Sequence, residues 1–256
     1  MRFCIYNIFD LLKNFMRDTI IVMFRKKAIL KYENAFKEHP EIISPSKNHI
    51  PDWYKKIPKW KNDEMFVDGK GFNHSVKFCM PFFDSLSIGY IITLPIDIYV
   101  KLDENKNPHI VSRDMTPVTP LLRSNTSDGV PVFEKNNGCE FVWKFGASFS
   151  IPKGYSMLIT HPLNRYDLPF TTYSGVVDGD MIMQPFGNVP FTLNQDFEGI
   201  IKQGTPIAQI IPFLQQNWNS VKVDGYAALG DQNNVRSSAV ISGWYKKTFW
   251  TKKKYD

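Results

Sequence analysis

Cysteine is scarce in this sequence, and the few cysteines are far apart. The 256 residues include only Cys4, Cys79 and Cys139, and the 5 histidines are scattered without a His-x-x-x-His pair. An odd, widely spaced set excludes a disulfide framework, lacks metal-ligand spacing and favours a reducing compartment. We therefore expect no metal site and no other cofactor. Cys79 and Cys139 lie in apolar stretches and are expected to be buried, inert thiols.

Long apolar runs are also missing. Residues 1–38 have apolar side chains at three- and four-residue spacing, which predicts a helix, but charged residues interrupt the pattern. No run is therefore long enough to span a membrane, and no small-residue cleavage site marks a signal peptide. Residues 20–24, followed by three basic residues, could lie on a membrane surface; a helix packed on the protein is the alternative. Met16 and Met23 are alternative starts.

Acidic residues are outnumbered by basic ones. The chain has 25 Asp and Glu against 31 Lys and Arg, a formal net charge of +6, and most of the basic residues are Lys. Because base edges and phosphates are usually read by Arg, this composition argues against nucleic acid as a partner. The Lys- and aromatic-rich end could still bind a single strand by charge and stacking; an amphipathic tail is the alternative. Hydrophobic residues make up 43% of the chain, enough for a sizeable core.

A segment at 39–75 carries prolines and tryptophans in a repeated pattern. Ile50-Pro51-Asp52-Trp53 recurs as Ile57-Pro58-Lys59-Trp60. Proline fixes φ and discourages regular structure before it, and each Trp has a large apolar body to bury. We expect an extended arm held by two Trp anchors, either over its own core or in a neighbouring subunit.

From Val76 onward the pattern changes to short apolar segments separated by turns. The predicted strands are 76–80, 88–100, 109–112, 140–145, 148–151, 155–160, 171–177, 181–183, 191–193, 199–201 and 206–213. Many short strands of this kind are typical of an all-β barrel or sandwich. The sequence thus predicts a helical extension (1–38), an arm (39–75), a β core domain (76–214) and a C-terminal arm or tail packed on the core (215–256).

Three motifs in the second half of the chain resemble those of the dUTPase and dCTP-deaminase family. They are a turn, Ile151-Pro152-Lys153-Gly154-Tyr155; a hairpin, Gly175-Val176-Val177-Asp178; and a last turn, Gly204-Thr205-Pro206-Ile207-Ala208-Gln209. Their order and spacing are similar to the family's. The resemblance implies a mainly β fold, a dUTPase-like β-clip or distorted barrel, here with an N-terminal helical extension and an extended arm.

The family's chemistry is matched only in part. In dUTPases the hairpin Asp holds the deoxyribose and positions the attacking water, and the resemblance places Asp178 in that role. Met181 stands where the family has a stacking Tyr, and Arg165 lacks the serine that follows the family's phosphate-binding Arg. The family's Gly-rich closing arm is replaced by a tail of Lys and aromatic residues. Without converging phosphate donors the resemblance favours the fold over the reaction.

The candidate ligand-binding residues are His161, Asn164, Arg165 and Asp178, and Asp178 is the candidate catalytic residue if the chain is an enzyme. Arg165 could grip an anion with two hydrogen bonds. The alternative is a structured loop in which Arg165 pairs with Asp167. Asp178 and Asp180 could form a polar pair; the alternative is a turn, because Asp-Gly is a favoured hairpin dipeptide.

Roughly residues 45–255 resemble a second family, encoded by tailed phages and some bacteria, which implies no mechanism. The resemblance lies in the Ile-Pro-x-Trp repeats, Cys-Met-Pro-Phe-Phe-Asp at 79–84 and Asn164-Arg165. We expect a non-enzymatic phage-type protein, structural or assembly-related, that forms a homo-oligomer (a trimer is one option) or binds other phage proteins. The alternative is a diverged nucleotide-binding protein or dUTPase-like nucleotide hydrolase. A cytoplasmic location, in the host or in a virion, fits either hypothesis.

Overall fold

Antiparallel strands dominate the structure, a computed structural model. It describes residues 27–35, 41–68, 71–111, 121–122, 140–183, 189–194, 197–239 and 243–256. Within these ranges the strands form several small sheets and do not close into a barrel. The predicted mainly β class is confirmed.

The elements follow one another in this order. The strands are β1 (Lys31–Asn34), β2 (Ile43–Pro45), β3 (Phe66–Val67), β4 (Gly71–Phe72), β5 (Tyr90–Thr93), β6 (Ile98–Leu102), β7 (Pro108–Val111), β8 (Leu121–Leu122), β9 (Glu140–Trp143), β10 (Ala147–Ser150), β11 (Tyr155–Thr160), β12 (Phe170–Thr172), β13 (Gly175–Asp178), β14 (Val189–Leu193), β15 (Gly199–Ile201) and β16 (Pro206–Leu214). The α-helices are α1 (Asp52–Lys56), α2 (Met80–Ser87), α3 (Tyr226–Ala239) and α4 (Trp244–Thr248). Short 3-10 turns lie at Ser46–His49, Lys61–Asp63 and Val76–Phe78.

A five-stranded sheet with the order β13-β11-β16-β5-β2 positions the candidate residues. Its strands pair antiparallel throughout. The central strand β16 is a run of apolar residues, and Ile207, Ala208 and Ile210 are fully buried. A strand covered on both faces needs such a continuous apolar run, which is why this segment occupies the middle of the sheet.

A second sheet, β12-β14-β9-β8, packs its aromatic residues into the core. The rings of Trp143 and Phe191 stack with centroids 3.5 Å apart, and both residues are fully buried. The Trp143 Nε1–H donates to Thr172 Oγ1 at 2.9 Å, and that hydroxyl donates to the Ile207 carbonyl at 2.6 Å. A buried indole N–H requires a partner, and this relay supplies one while tying the second sheet to β16.

Three smaller sheets complete the described strands. They are β15-β6-β7, the pair β1–β10 and the pair β3–β4. The strands β11 and β15 have the bounds expected from the sequence. The predicted strand 171–177 is split between two sheets as β12 and β13.

The segment predicted as a strand at 76–80 is helical instead. It forms a 3-10 turn followed by α2. Ser75 Oγ accepts a hydrogen bond from the Lys77 N–H at 3.2 Å, and Pro81 lies in the first turn of α2, where its missing N–H costs nothing. The periodicity of a short apolar run does not distinguish a helix from a strand, so the capping residues determine that this segment is helical. The expectation of a buried thiol at Cys79 is also wrong, because Cys79 is exposed.

The long strand predicted at 88–100 is two strands in different sheets. β5 pairs with β16 and β2, whereas β6 pairs with β7 and β15. Pro95 lies between them. Proline has no N–H for a ladder hydrogen bond, so it separates the two strands.

The helix predicted for 1–38 is wrong where the structure describes this segment. Lys31–Asn34 is a strand that pairs with Ala147–Ser150. The backbone partner on β10 outweighs the weak helical preference of four residues. The remaining parts of that prediction, residues 1–26 and 36–38, lie outside the described residues. No helix in the described part of the chain is long and apolar enough to cross a membrane.

The predicted arm at 39–75 is folded against its own chain over much of its length. Tyr54, on α1, is the buried anchor, and its ring stacks on Phe82 of α2 with centroids 6.0 Å apart. The expected anchors Trp53 and Trp60 are only half-buried. Trp60 stacks on His74 and lies 4.9 Å from the ring of Phe78. The arm therefore follows the helix-forming residues after Pro51 rather than an extended path.

The C-terminal segment contacts the core mainly through its last residues. Residues 216–236 are exposed along their whole length. Trp250 Nε1–H donates to the Asp84 carboxylate at 3.0 Å, and Lys253 forms an ion pair with the same carboxylate. The Tyr255 ring packs edge-on against Tyr90. The expectation of a tail packed on the core thus fits residues 250–256 and does not fit residues 216–236.

Candidate functional site

The four candidate residues lie at opposite ends of strand β11. Asp178 pairs with Ser156 near the start of that strand, whereas His161 follows its last residue, Thr160. Five residues of extended chain separate Ser156 from His161, a distance of about 16 Å. The structure therefore brings His161, Asn164 and Arg165 together in one loop and leaves Asp178 apart from them.

His161 is held at both ring nitrogens. Its Nε2 lies 3.0 Å from the Arg165 carbonyl, and its Nδ1 lies 3.3 Å from the Thr172 amide nitrogen. A carbonyl only accepts and an amide N–H only donates, so Nε2 carries the proton and Nδ1 is bare. Burial lowers the pKa of His161, and the nearby Arg165 guanidinium acts in the same direction, against the carbonyl hydrogen bond and Asp167. His161 is thus a neutral imidazole that braces the loop.

Asn164 shapes the backbone of the same loop. Its φ is 59°, in the left-handed region that Asn tolerates better than most residues. Its side-chain Nδ2 donates to Ser85 Oγ at 2.6 Å. The amide therefore joins the loop to helix α2 and is engaged within the protein.

Arg165 is paired with Asp167 by two hydrogen bonds. Nε donates at 2.8 Å and Nη2 at 2.9 Å, and the Arg165 side chain is only 13% exposed. Trp53 Nε1–H donates to the same carboxylate at 3.2 Å. Partial burial opposes ionisation of Asp167, but the hydrogen bond and charge of Arg165 prevail and lower its pKa. The Nε–Nη2 side of the guanidinium, one of the two from which Arg165 could grip a phosphate, is therefore occupied.

Two further groups at this loop, His49 and Gln209, are not among the residues predicted for the site. His49 Nε2 lies 2.6 Å from Ser44 Oγ, and burial together with the Arg165 charge lowers the pKa of His49. Gln209 accepts from the Leu163 N–H at 2.8 Å. Gln209 is the last residue of the Gly-Thr-Pro-Ile-Ala-Gln motif, so a signal was present, whereas nothing in the sequence links His49 to the loop.

Asp178 belongs to a second, more exposed polar group. Ser156 Oγ donates to its carboxylate at 2.7 Å, and Gln215 Nε2 donates to the same oxygen at 3.0 Å. Gln215 Nε2 also lies 3.0 Å from Ser156 Oγ. The three side chains form a closed triangle at the end of the sheet. The carboxylate accepts these hydrogen bonds, and within the described part of the chain no basic side chain forms an ion pair with it.

The Asp-Gly step after β13 is not a two-residue hairpin turn. The Gly179 N–H donates to the Tyr155 carbonyl at 2.7 Å, and the Asp180 N–H donates to Ile151 at 3.0 Å, so the chain continues along the turn before β11. A Cβ on Gly179 would lie 2.2 Å from the Pro152 carbonyl oxygen. Glycine is needed here for close backbone approach, and the two motifs of the sequence, Ile-Pro-x-Gly-Tyr and Gly-Val-Val-Asp, meet at this point.

An open depression of about 500 Å³ lies beside this second group. It is lined by residues 213–218, which follow directly from β16. Gln215 is shared between the depression and Asp178, and Trp218 is 82% exposed at its rim. In the described part of the chain no group of three His, Cys, Asp or Glu residues could hold a metal ion.

The comparisons with known proteins find similar chains only among solved structures. No protein-family model and no curated protein matches the sequence. A variant of the dUTPase of Staphylococcus bacteriophage 80alpha is 18% identical, covers 50% of this chain and 96% of its own, and has a TM-score of 0.25. The dUTPase of phage phi11 of S. aureus is 16% identical over 50% of this chain and 96% of its own, also with a TM-score of 0.25. The chain is thus similar to phage dUTPases, the family that its motifs resemble, at a level that supports no inference about activity.

Proposed function

We propose that the protein is a non-enzymatic phage-type protein with a structural or assembly role, and that its β core self-associates. The observation that carries the proposal is the Arg165–Asp167 pair. It takes up the Nε and Nη2 donors of the guanidinium, one of the two sides from which Arg165 could grip a phosphate with paired hydrogen bonds. His161 and Asn164 are likewise engaged by their own chain.

Hydrolysis of a nucleoside triphosphate needs donors, carboxylates and a metal ion converging on one group. Here Asp178 is about 16 Å along the strand from the loop that holds Arg165. Asp178 is stabilised by Ser156 and Gln215, both neutral. This separation argues against a single site that combines them.

Self-association is supported by the apolar side chains that the chain leaves in water. Trp218, Val221 and Val223 are exposed in one short segment, and Val176 on β13 and Ile182 beyond the end of that strand are exposed as well. Contiguous exposed apolar surface in a folded protein commonly marks an interface. The phage setting rests on the motifs by which roughly residues 45–255 resemble a family encoded by tailed phages and some bacteria.

The test combines an assay of activity with an assay of mass. Release of pyrophosphate or phosphate from dUTP, dCTP and related nucleotides is measured with Mg²⁺ for the wild type and Asp178→Ala. Light scattering coupled to size exclusion gives the molar mass. We expect no turnover at high protein concentration and a mass of several chains. Turnover that disappears in Asp178→Ala, or a monomer at every concentration, would contradict the proposal.

A second candidate is a nucleotide-binding protein, and the Asp178 group favours it. The carboxylate of Asp178 and the amide of Gln215 adjoin an open depression with the exposed Trp218 ring at its rim. A base could stack on that ring while a ribose hydroxyl donates to the carboxylate. Calorimetric titration with dUMP and dUTP tests this candidate. Binding that Asp178→Ala removes and the exposed control Asp180→Ala keeps would support it.

A further inference from the structure

The last residues of the chain combine lysines with aromatic rings. Residues 243–256 contain five lysines, five aromatic residues and one acidic residue, Asp256, but no Leu, Ile, Val or Met. A helix that lies on a membrane presents a broad apolar face opposite its basic residues. This segment forms one short helix, α4, and has no aliphatic residue to build such a face. Its composition is that of the basic, ring-bearing surfaces on which single-stranded nucleic acids bind.

The second half of this segment is fixed to the core. Trp250 Nε1–H donates to the Asp84 carboxylate at 3.0 Å. The Tyr255 ring packs edge-on against Tyr90 with centroids 5.7 Å apart, and Lys47 Nζ donates to the Tyr255 carbonyl at 2.7 Å. Trp250 and Tyr255 therefore act as anchors. A segment that is already held in place loses little conformational freedom when a ligand binds to it.

Two rings of the segment are left open to solvent on one face of α4. Tyr245 is 41% exposed and Phe249 is 56% exposed. The Phe249 N–H donates to the Tyr245 carbonyl at 3.0 Å, so the two residues are one helical turn apart and their side chains share a face. Their ring centroids are 6.3 Å apart, and Trp244 supports Phe249 edge-on at 5.0 Å. The pair forms an aromatic surface on which a base of any identity could stack.

Most of the positive charge beside these rings is not compensated. Lys253 pairs with Asp84, and Asp256 pairs with Lys47. The other lysines of the segment are exposed and form no ion pair with an acidic residue in the described part of the chain; they are Lys246, Lys247, Lys252 and Lys254. Lysine is a point charge that binds a phosphate without reading the base. The scarcity of Arg in the chain therefore argues against base reading and leaves this sequence-independent mode open.

We propose that residues 244–254 bind single-stranded nucleic acid without sequence preference, with bases stacked on Tyr245 and Phe249 and phosphates against the four unpaired lysines. A single strand offers both groups that this surface would recognise, a regular series of phosphates and open base faces. A duplex offers more phosphates but hides its base faces inside the stack, so the rings favour the single strand. This binding goes beyond the structural or assembly role proposed above and does not depend on self-association.

The first test measures the salt dependence of binding. Fluorescence anisotropy of a labelled thymidine oligonucleotide of about 20 nucleotides gives the dissociation constant for the full chain. With about four phosphates neutralised, the logarithm of the association constant should fall with a slope of about −2.8 against the logarithm of the salt concentration. That slope corresponds to a loss of about 50-fold between about 50 and 200 mM salt.

Removing lysines should change that slope in proportion. Lys246→Gln combined with Lys247→Gln should make it shallower by about 1.4. Lys31→Gln combined with Lys101→Gln is the matched control, because it removes the same charge from exposed positions on β1 and β6 and should leave the slope unchanged. A slope that is unchanged in the first variant, or equally changed in both, would overturn the proposal.

The second test concerns the rings. Tyr245→Ser and Phe249→Ser should each raise the dissociation constant for the oligonucleotide about fivefold or more. Tyr166→Ser is the control, because the Tyr166 ring is 88% exposed outside the segment and its removal should change nothing. All three rings are exposed, so circular dichroism should show folded proteins.

Three other ligands separate the proposal from its alternatives. A duplex of the same length and polyglutamate should both bind more weakly than the single strand, and equal affinity for either would show that charge alone is recognised and would overturn the stacking. Binding to phosphatidylcholine vesicles with about one third phosphatidylserine, without binding to the oligonucleotide, would assign the segment to a membrane surface and overturn the proposal. The absence of oligonucleotide binding at about 50 mM salt would overturn it as well and would leave the proposed function standing.

Discussion

Replacing Gln209 by leucine should destabilise the protein more than any other single amide change in the described sheet. Gln209 is 1% exposed in the middle of strand β16. Its Oε1 accepts from the Leu163 N–H at 2.8 Å, and its Nε2 donates to the Ser85 and Ile88 carbonyls at 3.1 and 2.7 Å. One side chain thus holds the His161 loop, the end of α2 and the start of β5 together.

The magnitude follows from the partners that the substitution leaves behind. Leucine has nearly the volume of glutamine, so the cavity is small and the cost comes from three backbone groups that lose a hydrogen bond. Each such group costs about 1–3 kcal/mol when it stays buried. Because the loop and the helix end are partly open to water, we expect the lower part of that range for each, about 3 kcal/mol in total.

Urea unfolding followed by tryptophan fluorescence measures this loss. Gln203→Leu is the matched control, because Gln203 is an exposed glutamine in the turn before β16. This substitution should lower the free energy of unfolding by less than about 0.5 kcal/mol. Gln209→Glu keeps the acceptor for Leu163 but points a carboxylate at two carbonyls, so it should be at least as damaging as leucine. A loss below about 1 kcal/mol for Gln209→Leu would refute the role assigned to this residue.

Three further predictions follow from the structure. Gly89→Ala should cost at least about 2 kcal/mol or prevent folding, because the φ of Gly89 is +72° and a Cβ would lie 2.0 Å from the Ile210 carbonyl oxygen. Urea unfolding should show stability falling as pH drops below about 6.5, because the lowered pKa of buried His161 means that the unfolded chain binds more protons there. Asp84→Asn should free the C-terminal residues, because it removes the ion pair to Lys253 and weakens the hydrogen bond from Trp250, and limited trypsin digestion should cut that end faster.

Each of these has a control and a contrary outcome. In Gly154→Ala the added Cβ would have no atom within 4 Å, so the substitution should cost only the strain of a positive φ, about 1–2 kcal/mol. An equal loss of stability at both glycines would contradict the close contact at Gly89. The fall in stability between pH 6.5 and 5 should be smaller in His161→Gln; an unchanged slope would remove His161 as a cause. Asp97→Asn removes an ion pair to Lys202 rather than to the C-terminal residues, so it should leave the rate of tryptic cleavage there unchanged.

Local sequence patterns correctly predicted strands that are bounded by turn residues next to them in the chain. The turn Pro152-Lys153-Gly154 predicted β11, and the β-branched run after Gly204 predicted β16. The segment 76–80 was predicted wrongly because its apolar residues fit either period, and the cap at Ser75 favours the helical turn. The strand Lys31–Asn34 was missed because its partner, β10, is more than a hundred residues away.

The candidate site shows the same division. His161, Asn164 and Arg165 share one loop, and the Arg165–Asp167 pair spans two residues, so both were within reach of sequence reasoning. The partners that hold the loop are distant in sequence: Trp53 is 114 residues from Asp167, and Ser85 is 79 residues from Asn164. No short-range pattern encodes such contacts, because they form only when separate elements pack.

The mainly β character of the chain and the polar residues available for chemistry could be predicted from the amino-acid sequence, because alternation, turns and residue types are local properties. The separation of Asp178 from Arg165 could not, because it depends on how the strands pair. Both flank strand β11, and an extended strand carries its two ends away from each other.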